Sequence, residues 1–112
     1  MSSGNEVPEV FPDVAAAKHA DGTGVVIDVR EPEELVQARI DGVIHIPLGE
    51  LHLKVDEVPT DTDVYMLCHV GQRSAMATDF LRQLGHTRVW NIRGGIIGWI
   101  RGGHPFASGV QG

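Results

Sequence analysis

The single cysteine of the chain, Cys68, lies in the segment whose residue types are best suited to chemistry. The segment reads Cys68-His69-Val70-Gly71-Gln72-Arg73-Ser74. A cysteine thiolate is a strong nucleophile, Arg73 supplies a fixed positive charge with a planar set of donors, and Gly71 permits a tight turn of the backbone. His69 adds another hydrogen-bond donor. This spacing predicts a nucleophilic thiol beside a small binding site for an anion.

The residues on either side of this segment indicate what holds it in place. The aliphatic run at 64–67 predicts a buried strand that ends directly before Cys68, and apolar residues at 77, 80, 81 and 84 have helical spacing after it. A loop from a strand into a helix directs several backbone N–H groups to one point, and the positive end of the helix dipole favours a thiolate there. The alternative is an inert structural thiol, because free cysteine is among the most buried residue types.

The remaining elements predict an α/β fold. Short apolar runs at 25–27, 43–46 and 88–92 indicate further buried strands, and 9–11 indicates a short edge strand limited by prolines. Helical patterns fall between them at 14–20, where Asp13 is expected to be the N-cap, and at 32–39 and 96–100. Strands that alternate with helices are typical of a mainly parallel sheet covered on both faces.

Composition narrows the class of protein. The 112 residues are 42% hydrophobic and 21% charged, which is typical of one globular domain. A net charge of −6 argues against nucleic-acid binding, and no apolar run is long enough to span a bilayer. One cysteine excludes an internal disulfide and a multi-cysteine zinc site, and the scattered histidines show no metal-ligand spacing. We expect a cytoplasmic monomer with no membrane contact, no secretory signal, no metal and no cofactor.

Charge is unevenly distributed along the chain. Residues 1–67 carry a net charge of −10, whereas residues 68–112 carry +4. The half that begins with Cys68 is therefore electropositive and can attract a small anion toward the thiol. The alternative is that the two halves neutralise each other across the folded domain.

The segment at 68–74 resembles the active-site loop of rhodanese-like sulfurtransferases, and three other segments resemble further markers of that family. They lie at 26–34, at 40–47, and at 94–99 followed by Gly103-His104-Pro105, all in the order of the family. The resemblance covers roughly residues 10–106. It implies a single rhodanese-like domain with a central, mostly parallel five-stranded sheet flanked by helices on both faces. We expect this domain to occupy 1–112, with a core at about 8–106 and loose tails at both ends, since the residues from 107 are rich in glycine and serine.

The resemblance also implies a reaction. Cys68 would be the catalytic residue, carrying a persulfide, and His69, Val70, Gly71, Gln72, Arg73 and Ser74 would bind the substrate. Sulfur would pass from a small anionic donor such as thiosulfate to cyanide, a thiol or a protein thiol. A persulfide carrier that serves a protein acceptor, and a non-enzymatic module that binds a partner or senses redox state, remain alternatives.

Loop length and two charged residues near the predicted site give two further interpretations, of which the first depends on the resemblance. Cysteine phosphatases and arsenate reductases use a longer loop, and the four residues between Cys68 and Arg73 fit one sulfur atom better than a phosphate. Asp28 and Arg30 end a predicted strand on the same side of the sheet as Cys68. Either Arg30 lies near the donor anion, or Asp28 and Arg30 join neighbouring loops by hydrogen bonds and an ion pair.

Overall fold

The computed structural model describes residues 7–109, and a five-stranded sheet lies at their centre. The strands are β1 (Glu9–Val10), β2 (Gly24–Asp28), β3 (Ile44–His45), β4 (Asp63–Leu67) and β5 (Val89–Ile92). Their order across the sheet is β1-β5-β4-β2-β3, and every neighbouring pair is parallel. The predicted parallel α/β sheet is confirmed.

Helices cover both faces of this sheet. They are α1 (Pro12–Asp21), α2 (Pro32–Gln37), α3 (Gln72–Gln83) and α4 (Gly95–Arg101), with two 3-10 helices at Leu48–Leu53 and Val55–Glu57. Side chains alternate along β4, because successive residues of a strand face opposite sides. Met66 and Cys68 join the core under α3, whereas Tyr65 and Leu67 join the core under α1 and α4. The predicted helices on both faces are therefore confirmed.

Some helix boundaries differ from those that the sequence indicates. Helix α1 begins at Pro12, with Phe11 at the N-cap and no side-chain cap, so the expectation that Asp13 caps it is wrong. Proline fits the first helical position, which moves the start of the helix forward and leaves Asp13 inside its first turn. The Asp13 carboxylate instead lies 2.8 Å from His104 Nε2 and joins α1 to the segment after α4.

The segment after α4 is held against α2. Arg39 and Ala107 exchange two backbone hydrogen bonds of 2.8 Å each, and the N–H of Gly109 donates to the carbonyl of Val36 at 2.7 Å. Residues 107–109, part of the tail expected to be loose, are thus bonded to the body of the fold. Residues 1–6 and 110–112, the rest of the expected tails, lie outside the described residues. Within 7–109, no helix has the length and apolar character needed to cross a membrane.

The carboxyl end of the sheet is where the cysteine loop lies. Strand β4 ends at Leu67 and α3 begins at Gln72, so residues 68–71 form the turn between them. Strand β5 pairs with β4 and ends at Ile92, which places the Gly94-Gly95 start of α4 beside that turn. In open α/β sheets, this edge is where ligands bind.

Candidate active site

The sulfur of Cys68 lies beneath the loop and has polar partners. The Cys68 side chain is 1% exposed and belongs to the core under α3. Its Sγ atom accepts hydrogen bonds from the backbone N–H of Gly71, at 3.1 Å, and from the hydroxyl of Ser74, at 3.2 Å. A thiol in wholly apolar packing would lack both donors. The arrangement is therefore suited to a sulfur that carries negative charge.

The turn at Gly71 aims the start of α3 at this sulfur. Gly71 is the N-cap of α3 and has a φ of 102°, a left-handed conformation that residues with a Cβ rarely adopt. The N–H groups of Gln72, Arg73 and Ser74 come next, in the first turn, where no helical carbonyl lies behind them to accept. With twelve residues in α3, the positive end of its dipole adds to these donors.

Helix α4 supports the loop from the opposite side. The N–H groups of Ile96 and Ile97 donate to the carbonyls of Cys68 and His69, at 2.8 and 3.2 Å. This contact needs a glycine at position 95, because a Cβ there would lie 2.6 Å from the carbonyl oxygen of Cys68. Since a trans peptide points its N–H and C=O in opposite directions, the loop carbonyls that face α4 leave the loop N–H groups facing away from it.

Asn91, which the sequence interpretation missed, joins the loop to the sheet. This side chain of β5 is 2% exposed. Its Nδ2 donates to the carbonyl of Gly71 at 3.1 Å, and its Oδ1 accepts the hydroxyl of Ser74 at 2.5 Å. An asparagine inside an otherwise apolar strand was the available signal, because a buried amide needs partners.

Arg73 forms an ion pair with Glu34 of α2. Its two terminal nitrogens each lie 2.8 Å from one carboxylate oxygen of Glu34. This bidentate contact occupies the edge of the guanidinium that the two nitrogens form. The hydrogen bonds from Arg73 hold the pKa of Glu34 at about 2, well below its ordinary value of 4.5, and the same contact raises the pKa of Arg73. The pair fastens the start of α3 to α2.

This ion pair predicts a loss of stability in acid. Because the Glu34 pKa is lower in the folded protein, its contribution is present above pH 4.5 and is lost as the pH falls from 4.5 to about 2. We expect Glu34→Gln to flatten the pH dependence of the unfolding free energy in this window, measured by urea denaturation. Glu33→Gln, on an exposed residue of the same helix, is the matched control. Equal pH slopes for wild type and Glu34→Gln would contradict the prediction.

Asp28 and Arg30 form a buried ion pair, the Asp28 side chain being fully buried and that of Arg30 2% exposed. Arg30 Nη2 donates to Asp28 Oδ2 at 2.9 Å and to the carbonyl of Ala38 at 2.7 Å, while the Arg30 backbone N–H donates to Asp28 Oδ1 at 3.0 Å. These contacts join the end of β2 to the end of α2. They are the hydrogen bonds and the ion pair expected if the two residues hold neighbouring segments together, and Arg30 also lines the cleft beside the cysteine loop.

The other loop residues face solvent or an adjoining cleft. His69, Val70 and Gln72 are exposed. A cleft of about 430 Å³ lies beside the loop, and its lining includes His69, Arg73, Arg30, Glu34 of α2, and Ile97 and Ile100 of α4. Among residues 7–109, no group of three or more histidine, cysteine or acidic side chains is arranged to bind a metal ion.

Comparisons with known proteins give a consistent picture. A family model described as a rhodanese-like domain matches residues 11–101. A sulfurtransferase from Allochromatium vinosum is 38% identical over 84 residues, which make up 75% of this chain and 78% of that protein. The putative sulfur carrier protein YrkF of Bacillus subtilis is 35% identical over 85% of this chain, which spans 52% of its length. The crystal structure of a rhodanese-related protein from Thermoplasma volcanium is 34% identical, with a TM-score of 0.81 over 89% of this chain and 97% of that one.

Proposed function

The chain belongs to the rhodanese-like domain family, whose members include sulfurtransferases, and from this premise we propose that it transfers a sulfane sulfur through a persulfide on Cys68. The donor is a small anion of the thiosulfate type, and the acceptor is a thiophile such as cyanide or a thiol. The observation that carries the proposal is the pair of donors on Cys68 Sγ, the Gly71 N–H and the Ser74 hydroxyl.

The first half-reaction loads the enzyme. The Cys68 thiolate attacks the outer sulfur of thiosulfate, a new S–S bond forms, and the old S–S bond breaks with its electron pair leaving on sulfite. The product is a Cys68 persulfide whose outer sulfur carries the negative charge. The free N–H groups of the first turn of α3 and the helix dipole stabilise that charge, as donors fixed in advance do in other covalent mechanisms.

The second half-reaction returns the thiol. A nucleophile, cyanide or a thiolate, attacks the outer sulfur, and the S–S electron pair returns to Cys68 Sγ. Negative charge develops on Sγ in this step; the Gly71 N–H already donates to that atom, and the Ser74 hydroxyl lies 3.2 Å from it and can turn its proton to it. The two donors therefore favour departure of the Cys68 thiolate.

The burial of the Cys68 sulfur requires part of the loop to move before a donor can reach it. Because the Cys68 side chain is 1% exposed, we expect the loop at His69 and Val70 to shift when the donor enters. Both of these side chains are exposed, and Val70 is 48% exposed, so their movement disturbs little packing. The neighbouring cleft, whose lining includes Arg30 and the Arg73–Glu34 pair, is the approach that we propose for the anion.

The test is to incubate the purified protein with thiosulfate and measure its intact mass. We expect a gain of one sulfur atom, located on Cys68 by peptide mapping and removed by cyanide with release of thiocyanate. A matched sample alkylated at Cys68 beforehand controls for sulfur bound elsewhere. An unchanged mass with thiosulfate and with organic persulfides as donors would contradict the proposal.

A persulfide carrier is the second candidate function. The 35% identity to the putative sulfur carrier protein of Bacillus subtilis supports it, and this chain spans 52% of that protein's length. A carrier would form the same persulfide but deliver it to a protein thiol. Much faster discharge of the loaded protein to a protein thiol than to cyanide would favour the carrier. Failure to load at all would instead favour a binding module without catalysis.

A further inference from the structure

Both groups that donate to the Cys68 sulfur are held by one side chain, that of Asn91. The N–H of Gly71 donates to Sγ at 3.1 Å, and the carbonyl of Gly71 accepts a hydrogen bond from Asn91 Nδ2, also at 3.1 Å. Ser74 donates its hydroxyl to Sγ and also lies within hydrogen-bond distance of Asn91 Oδ1. Asn91 is 17 residues from Ser74 and 20 from Gly71, so the sheet, not the local chain, brings them together.

The orientation of the Asn91 amide is fixed by its surroundings. Its Nδ2 has two acceptors, the Gly71 carbonyl and, at 3.3 Å, the Oε2 atom of Glu9 on β1. A rotated amide would turn its oxygen toward both of these oxygens and its nitrogen toward Ser74, so the observed orientation is the favourable one. The oxygen of Asn91 therefore faces the Ser74 hydroxyl.

The Ser74 hydroxyl has one proton and two acceptors. A hydroxyl donates only one strong hydrogen bond at a time, so the proton lies toward either Asn91 Oδ1 or Cys68 Sγ. The oxygen–oxygen distance to Asn91 is 2.5 Å and the distance to Sγ is 3.2 Å. When Cys68 is a neutral thiol, the hydroxyl is free to donate to Asn91. When negative charge develops on Sγ, a rotation of the hydroxyl turns the proton to the sulfur, and the Ser74 oxygen then moves away from Asn91 Oδ1, because two oxygens with no proton between them repel each other at 2.5 Å.

We infer that Asn91 is a positioning residue for sulfur transfer, because it holds the Gly71 carbonyl and the Ser74 oxygen where the Gly71 N–H and the Ser74 hydroxyl lie within hydrogen-bond distance of Cys68 Sγ. This inference rests on the proposed function. At 2% exposure Asn91 does not touch the donor, so it acts through these two groups and changes the rate of the chemical step rather than the binding of thiosulfate.

The test measures single-turnover release of sulfite from thiosulfate. For Asn91→Leu, which removes both hydrogen-bonding ends, we expect the rate at saturating thiosulfate to fall by about tenfold to a hundredfold. The thiosulfate concentration that gives half of that rate should stay the same. Val89→Ala is the matched control, since Val89 is a buried apolar residue on the same face of β5; its thermal stability should fall while its rate is retained.

A double-mutant cycle tests whether Asn91 affects the rate through the Ser74 hydroxyl. In a Ser74→Ala background, Asn91→Leu should reduce the rate by a smaller factor than in the wild type, because part of its effect passes through the Ser74 hydroxyl. Asn91→Asp, of almost equal volume, removes the donor to Gly71 and is the second variant if Asn91→Leu does not fold. The inference is overturned if a folded Asn91 variant releases sulfite at the wild-type rate. It is also overturned if Asn91→Leu lowers the rate by the same factor in the wild-type and Ser74→Ala backgrounds. A wild-type protein that releases no sulfite would instead contradict the proposed function.

Discussion

Cys68→Ser is expected to reduce sulfur transfer from thiosulfate to cyanide to the background rate, a loss on the order of 10⁴-fold or more. The hydroxyl of serine is a far weaker nucleophile than a thiolate near neutral pH, and an oxygen at this position cannot form the persulfide. A steady-state assay of thiocyanate formation checks the rate, and intact mass checks that no sulfur is gained.

The substitution should leave the fold unchanged. A serine hydroxyl is almost the size of a thiol and can accept the same hydrogen bonds from Gly71 and Ser74. Thermal unfolding followed by circular dichroism therefore serves as the control, with a midpoint close to that of the wild type. If folded Cys68→Ser retained turnover within about tenfold of the wild type, Cys68 would not be the nucleophile.

Gly95→Ala is expected to have the second largest effect, through the backbone of the cysteine loop. A Cβ at this position would lie 2.6 Å from the carbonyl oxygen of Cys68, and Gly95 has a φ of 61°. Either the loop or the start of α4 must move, which breaks the hydrogen bonds from Ile96 and Ile97 to the loop carbonyls. We expect a loss of about 3 kcal/mol or more of unfolding free energy, together with at least a tenfold fall in sulfur transfer.

Gly22→Ala is the control for Gly95→Ala, because it introduces the strain of a left-handed alanine without a steric clash. Gly22 also has a left-handed φ, 78°, but a Cβ there would meet no atom within 4 Å. Gly22→Ala should lower the free energy of unfolding by only about 1–2 kcal/mol, the penalty of the left-handed conformation itself, and should leave sulfur transfer unchanged. Denaturant unfolding and the thiocyanate assay measure both quantities. Equal losses of stability for the two variants would contradict the proposed collision with the loop.

The sequence indicated the cysteine loop and its position because both depend on local patterns. The aliphatic run of β4, the glycine at 71 and the apolar spacing of α3 are each visible within a few residues. The alternation of strands and helices then implied a parallel sheet, with Cys68 at its carboxyl edge. Both features of the fold are confirmed, the sheet and its covering on two faces.

The partners of the loop were not predictable in the same way. Arg73 meets Glu34, 39 residues away, and Ser74 meets Asn91, 17 residues away. These contacts depend on the order of the strands and on the ends of α2 and β5 in space, which hydrophobic periodicity does not specify. The sequence therefore predicted Arg73 as a donor near the thiol but gave no sign of the Glu34 carboxylate that its guanidinium contacts.

The burial of Cys68 bears on how long such a thiol survives. Sulfenic acid formation is reversible, but the sulfinic and sulfonic acids that follow are permanent losses for most proteins. Each added oxygen needs space beside the sulfur. The Cys68 side chain is 1% exposed beneath its own loop, and its sulfur is in contact with Gly71 and Ser74. We therefore expect a resting molecule to be shielded from peroxide, and the rate of irreversible oxidation of Cys68 to follow the loop movement proposed for entry of the donor.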